Sequence, residues 1–105
     1  MAVLNLTEKD FARVVGKENS SVVLEFYADW CKPCHKMLPV VEKLSEEYNS
    51  IDFYKIDSDE EAFLAAALKA STLPTLVFVK DGVVKYATEG NVSEAEILKG
   101  IEKIK

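Results

Sequence analysis

The feature that most constrains this chain is a strand-like run leading into a pair of cysteines. Ser21 to Ala28 reads Ser-Val-Val-Leu-Glu-Phe-Tyr-Ala, apolar on both faces. A strand of that kind must be covered by helices on each side, which points to a central place in an α/β sheet. One residue further comes Trp30-Cys31-Lys32-Pro33-Cys34, and from Cys31 to about Asn49 the apolar positions Cys34, Leu38, Val41, Leu44 and Tyr48 step by three and four. That spacing is one face of a helix. The two cysteines therefore sit where a buried strand turns into a helix. Pro39 falls inside that helix and is expected to kink it, since proline removes a backbone hydrogen bond and crowds the preceding turn.

The same alternation runs through the rest of the chain. Val3 to Leu6 is a short strand candidate, and Thr7 offers an N-cap before Glu8, Asp10 and the helically spaced Phe11, Val14 and Val15. Ile51 to Asp57 alternates as a strand, and Ser58-Asp-Glu-Glu61 has the form of a capping box opening an alanine-rich helix to about Ala70. Thr75 to Val79 and Val83 to Thr88 read as strands joined through Lys80-Asp81-Gly82, a tight-turn signal that makes the pair antiparallel and the sheet mixed. Ser93-Glu-Ala-Glu96 is a second capping box, followed by the apolar stripe Ile97, Leu98, Ile101 and Ile104. Gly100 weakens this last helix by about 1 kcal/mol relative to alanine. The predicted order is β-α-β-α-β-α-β-β-α: a central mixed five-stranded sheet flanked by four helices, in one domain over residues 1–105. Phe26, Tyr54, Phe63, Phe78 and Tyr86 are expected in the core.

Composition decides what the cysteines are for. A chain of 105 residues that is 49% hydrophobic buries a core without staples, so Cys31 and Cys34 are not needed as scaffolding. With 13 Lys+Arg against 18 Asp+Glu and no basic run, neither nucleic acid nor an anionic membrane is expected as partner. Met1 to Lys9 lacks the basic and apolar regions of a signal peptide, and no apolar run approaches membrane-spanning length. The expected compartment is the cytosol, where a closely spaced cysteine pair reads as redox or metal chemistry.

Two intervening residues at a helix start bring two sulfurs within disulfide reach. The unpaired N–H groups and the dipole of that helix end favour a thiolate on Cys31, and a lowered thiol pKa speeds attack on a disulfide near neutral pH. Cys34 lies one turn inward on the core-facing stripe. Lys32 adds positive charge beside the thiolate, and Pro33 stiffens the turn. A zinc site could draw on Cys31, Cys34 and His35 but lacks a fourth soft ligand. Cys31-Lys-Pro-Cys34-His35 also fits the C-x-x-C-H pattern of covalent haem attachment, although the flanking strands do not suit a helical haem shell. Under the redox reading no cofactor or metal is required, and His35, the only histidine, is a polar residue of the first helical turn.

Val23-Leu-Glu-Phe-Tyr-Ala-Asp-Trp-Cys-Lys-Pro-Cys34, with Pro39, Leu73-Pro74-Thr75, Lys80-Asp81-Gly82 and Gly90 in order behind it, resembles the thioredoxin family over nearly the whole chain. The resemblance implies the thioredoxin fold and a protein-disulfide reductase, with Cys31 as attacking nucleophile and Cys34 as resolving thiol. It implies that Pro74 is a cis-proline packed on the disulfide and Trp30 an aromatic wall beside it. Trp30, Pro33, Leu73, Pro74, Gly90 and Asn91 match the shallow groove for substrate backbone, and Lys32 joins that surface from within the motif. Disulfide-containing proteins are the implied substrates, a flavoprotein thioredoxin reductase the implied electron source, and a monomer the implied state. Glu25 and Lys55 occupy the places of a buried carboxylate and its lysine neighbour. The chain departs from the family where Lys32 replaces glycine, Glu25 aspartate, His35 lysine and Tyr27 a frequent tryptophan.

Glu25 also stands out without the resemblance, as one carboxylate in a strand that is apolar on both faces. Burial would raise its pKa towards neutrality, opposed by Lys55, and fit it to take the proton of Cys34. A dedicated oxidant or isomerase, and a scaffold subunit whose cysteines are idle, are the other readings of the same fold.

Overall fold

The computed structural model describes residues 3–105; Met1 and Ala2, which begin the expected 1–105 domain, lie outside the described residues. The elements alternate along the chain as β1 (Val3–Asn5), α1 (Glu8–Val15), β2 (Ser21–Tyr27), α2 (Lys32–Glu47), β3 (Asp52–Asp57), α3 (Ala62–Ala67), β4 (Thr75–Lys80), β5 (Val83–Glu89) and α4 (Glu94–Ile104). This is the order expected from the sequence. The strands form one five-stranded mixed sheet in the order β1-β3-β2-β4-β5. β3 pairs in parallel with both β1 and β2, whereas β2–β4 and β4–β5 are antiparallel. β2 is thus central, and Ser21 through Phe26 are all buried.

Because side chains alternate along a strand, β2 feeds two cores. Val23 packs with Phe53, Leu76 and Phe78 beneath α2 (Met37, Val41, Leu44) and α4 (Ile97, Ile101, Ile104). Val22, Leu24 and Phe26 pack with Ile56, Val77 and Val79 beneath Val15 of α1 and Leu64 of α3. Glu25 shares the parity of Val23 and so lies on the α2 face of the sheet. A Cβ on Gly100 would meet the Phe78 ring at 2.6 Å, so glycine is what lets α4 lie against β4. Between β4 and β5, Asp81 (φ 52°) and Gly82 (φ 78°) both adopt positive φ, as the expected two-residue hairpin turn demands.

Several local expectations need correction. The Ser58–Glu61 capping box does not form: residues 58–60 are turn, Asp57 Oδ1 accepts from Asp59 N at 2.9 Å, and the helix spans only Ala62–Ala67 with Glu61 as its N-cap. The two N–H groups such a box would serve are already taken by backbone carbonyls, Ser58 N donating to Tyr27 O at 2.8 Å and Glu61 N to Asp57 O at 2.8 Å. Glu61 instead reaches across to α1, its Oε1 accepting from Glu8 N at 3.0 Å, which serves an N–H that the Thr7 side chain leaves free. In the second box Ser93 does accept from Glu96 N at 3.2 Å, but the Glu96 carboxylate takes the Tyr86 hydroxyl rather than returning to Ser93. Phe63, expected in the core, is 69% exposed, because so short a helix seats Leu64 inward and turns its neighbour to solvent.

Candidate active site at the start of helix α2

β2 ends at Tyr27, and a short turn carries the chain into α2. Cys31 N donates to Ala28 O at 3.1 Å, and Cys31 takes an extended conformation (φ −89°, ψ 102°) as the N-cap. Its Sγ accepts from Cys34 N at 3.3 Å, so a sulfur fills the position usually held by a capping oxygen. Pro33 sits in the first turn, where its missing N–H would have had no helical partner. Cys31 and Cys34 form a disulfide with their Cα atoms 5.3 Å apart. Both are buried in this oxidised form, packed with Ala28 and flanked by Tyr27 and Leu73. Although only Cys34 is expected on the core-facing stripe, residue burial does not separate the two. The two differ in their settings: Cys31 caps the helix, whereas Cys34 lines a cavity.

Of the other groove candidates, Leu73 packs against the cysteine pair. The Leu73–Pro74 peptide is cis, and Pro74 is buried. Gly90 N donates to Pro74 O at 2.8 Å, and Gly90 has φ 71° with open space where a Cβ would stand. Asn91 beside it is exposed, as are Lys32 and Pro33. Trp30 is 70% exposed, and its Nε1 donates to Asp59 Oδ2 at 2.9 Å. Trp30 is thus not a core aromatic.

Behind the disulfide lies Glu25, 1% exposed. Among the described residues neither carboxylate oxygen has a hydrogen-bond partner. Lys55 lies opposite it in the β2–β3 register. Burial pushes the Glu25 pKa from 4.5 to about 7; Lys55 opposes the rise, and Glu42 adds to it. A cavity of about 130 Å³ joins Glu25 to Cys34, lined also by Tyr27, Asp29, His35, Leu38 and Lys55. His35 Nε2 lies 2.7 Å from Asp29 O, the Tyr27 hydroxyl donates to Asn5 Oδ1 at 3.2 Å, and Lys55 Nζ lies 5.6 Å from the Tyr27 ring centre. The sequence offered no sign that Asp29, Tyr27 and His35 share this cavity. Their side-chain directions depend on how the turn between β2 and α2 closes.

A family model described as Thioredoxin matches residues 2–103 of the chain. The chain belongs to the thioredoxin family. The thioredoxin of Borreliella burgdorferi is 40% identical to it over 80% of this chain and 82% of its own length. The thioredoxin of Staphylococcus aureus is 35% identical over 90% and 94%. The X-ray structure of Fasciola hepatica thioredoxin superposes with a TM-score of 0.88 at 32% identity, covering all of both chains. As a member of the thioredoxin family, the protein is a thiol–disulfide oxidoreductase with Cys31–Cys34 as its redox-active pair. No group of three or more His, Cys, Asp or Glu among the described residues is placed to hold a metal ion. No helix among them is long and apolar enough to cross a membrane.

Proposed function

We propose that the chain is a protein-disulfide reductase in which Cys31 attacks and Cys34 resolves. The observation that carries this order is the capping position of Cys31, whose sulfur accepts the Cys34 N–H at the positive end of α2. In the reduced protein the Cys31 thiolate attacks a substrate disulfide; a Cys31–substrate bond forms and one substrate sulfur leaves as thiol. Cys34 then attacks Cys31 Sγ, the second substrate sulfur departs, and the Cys31–Cys34 disulfide remains. Two electrons pass to the substrate, and the Cys34 proton passes to Glu25, the nearest buried carboxylate lining the Cys34 cavity.

Trp30, Lys32, Pro33, Leu73, Pro74, Gly90 and Asn91 supply the surface for the substrate segment. The Gly90 to Pro74 hydrogen bond supports this grouping by tying two of its segments together. The natural partners are disulfide-bearing proteins and a flavoprotein reductase that restores the dithiol. The chain works as a monomer in the cytoplasm, as one domain over residues 1–105.

Precipitation of insulin by dithiothreitol tests the reaction. The wild type accelerates it catalytically, and Cys31→Ser lowers the rate to that of dithiothreitol alone. Full acceleration by Cys31→Ser would leave only a scaffold role for the fold.

A further inference from the structure

By its position His35 is a polar residue of the first turn of α2, yet it lines the cavity that Glu25 and Cys34 share. Its Nε2 lies 2.7 Å from the Asp29 carbonyl oxygen. A carbonyl only accepts, so Nε2 carries a proton whether the ring is neutral or charged. The neutral ring therefore leaves Nδ1 as its free acceptor. Imidazole is the side chain best suited to take up and release protons near neutral pH, and this one is exposed to solvent on its outer side. Glu25 is sealed from solvent and has no hydrogen-bond partner among the described residues, so a proton it accepts needs a way out. The cavity has mixed walls that carry the polar groups of Glu25, Tyr27, Asp29, His35 and Lys55, and a volume of about 130 Å³, room enough for water to link them.

We propose that His35 is the solvent-side station of a proton relay that connects Glu25, across this cavity, with bulk water. The relay rests on the reading of Glu25 as acceptor of the Cys34 proton. During resolution the Cys31–Cys34 bond forms and the Cys31–substrate bond breaks. The Cys34 proton moves to Glu25, from there to His35 Nδ1, and then to solvent or to the departing substrate thiolate. The reverse sequence returns it when the disulfide is reduced. The charged and titratable groups facing His35 are Glu25 and Tyr27 from β2, Lys55 from β3, Asp29 from the connecting turn and Cys34 from its own helix, with Glu42 of α2 acting on Glu25. Lys55 favours a charged Glu25 and so helps the carboxylate recover once its proton has moved on.

The test is stopped-flow reaction of the reduced protein with dithiobis(nitrobenzoate). One nitrothiolate is released on attack by Cys31 and a second on resolution by Cys34. His35→Gln keeps a donor for the Asp29 carbonyl but has no titrating nitrogen. In dilute buffer its second step should slow about tenfold, the lower range of what a positioned proton carrier contributes, with the first step unchanged. Added imidazole should restore it. Two results would overturn the relay alone: a wild-type second step in His35→Gln while Glu25→Gln slows it, or a slow step that imidazole does not recover. An unchanged second step in Glu25→Gln would instead remove the Glu25 assignment, and the relay with it.

Discussion

Glu25 keeps its proton at pH values where an ordinary glutamate has lost it, because charging it means ionising a carboxyl inside the sheet-to-helix core. Its pKa rises from 4.5 unfolded to about 7 folded. Between those values the folded chain holds a proton that the unfolded chain does not, so stability falls as the pH rises through this window. Below it the contribution vanishes, and above it the destabilisation is constant at roughly 3 kcal/mol. Glu25→Gln removes the charge and should therefore gain stability over the wild type progressively from about pH 5 to 7, levelling off beyond. Urea unfolding of the oxidised proteins at both ends of this range measures the gain; a pH-independent difference would contradict it. This residue was legible in the sequence because a single carboxylate in a two-faced apolar strand has nowhere else to go. His35 was not, since helical spacing says which residues share a face but not how a preceding turn folds back to meet them. Cys31 and Cys34 were legible as a pair, whereas their equal burial as a disulfide was not, because closing the ring tucks both sulfurs against Ala28 and Leu73.

At the scale of elements, helix α4 shows how packing overrides propensity. Read in isolation, Gly100 is a weak spot, and alanine there should add about 1 kcal/mol. In place, the added methyl would stand 2.6 Å from the Phe78 ring, closer than two carbons tolerate. Gly100→Ala should therefore destabilise the protein by about 1–3 kcal/mol, the range for overpacking. Thermal unfolding of Gly100→Ala, alone and combined with Phe78→Leu, measures this. The single variant should melt lower and the smaller side chain should recover part of the loss; a single variant that melts higher would contradict the contact. The start of α3 carries the same lesson in reverse. Ser58 and Glu61 have the spacing of a capping box, but backbone carbonyls already take the N–H groups it would serve and Glu61 is drawn to α1. Sequence spacing identifies groups able to cap; the three-dimensional neighbours decide which of them does. The long periodic helices and the Asp81-Gly82 hairpin were readable because each is fixed by nearby residues alone.

Over the whole molecule, β2 is the element on which the rest depends. Its central place in the order β1-β3-β2-β4-β5 buries Glu25 and carries the chain to the start of α2, where the disulfide sits at the carboxyl end of the strand. Alternation of strand and helix patterns made the element order readable. The packing of Leu73 against the cysteine pair depends on β4 pairing beside β2, a contact that no local pattern encodes. The proposed reaction order gives attack to Cys31 and resolution to Cys34. Trapping of the mixed disulfide tests that assignment most directly. Each single-cysteine variant is reduced, mixed with a disulfide-bonded protein, quenched with acid and run on a non-reducing gel. Cys34→Ser should accumulate a covalent complex through Cys31 that dithiothreitol releases, and Cys31→Ser should accumulate little. Equal trapping by both variants, or trapping by Cys31→Ser alone, would contradict the account.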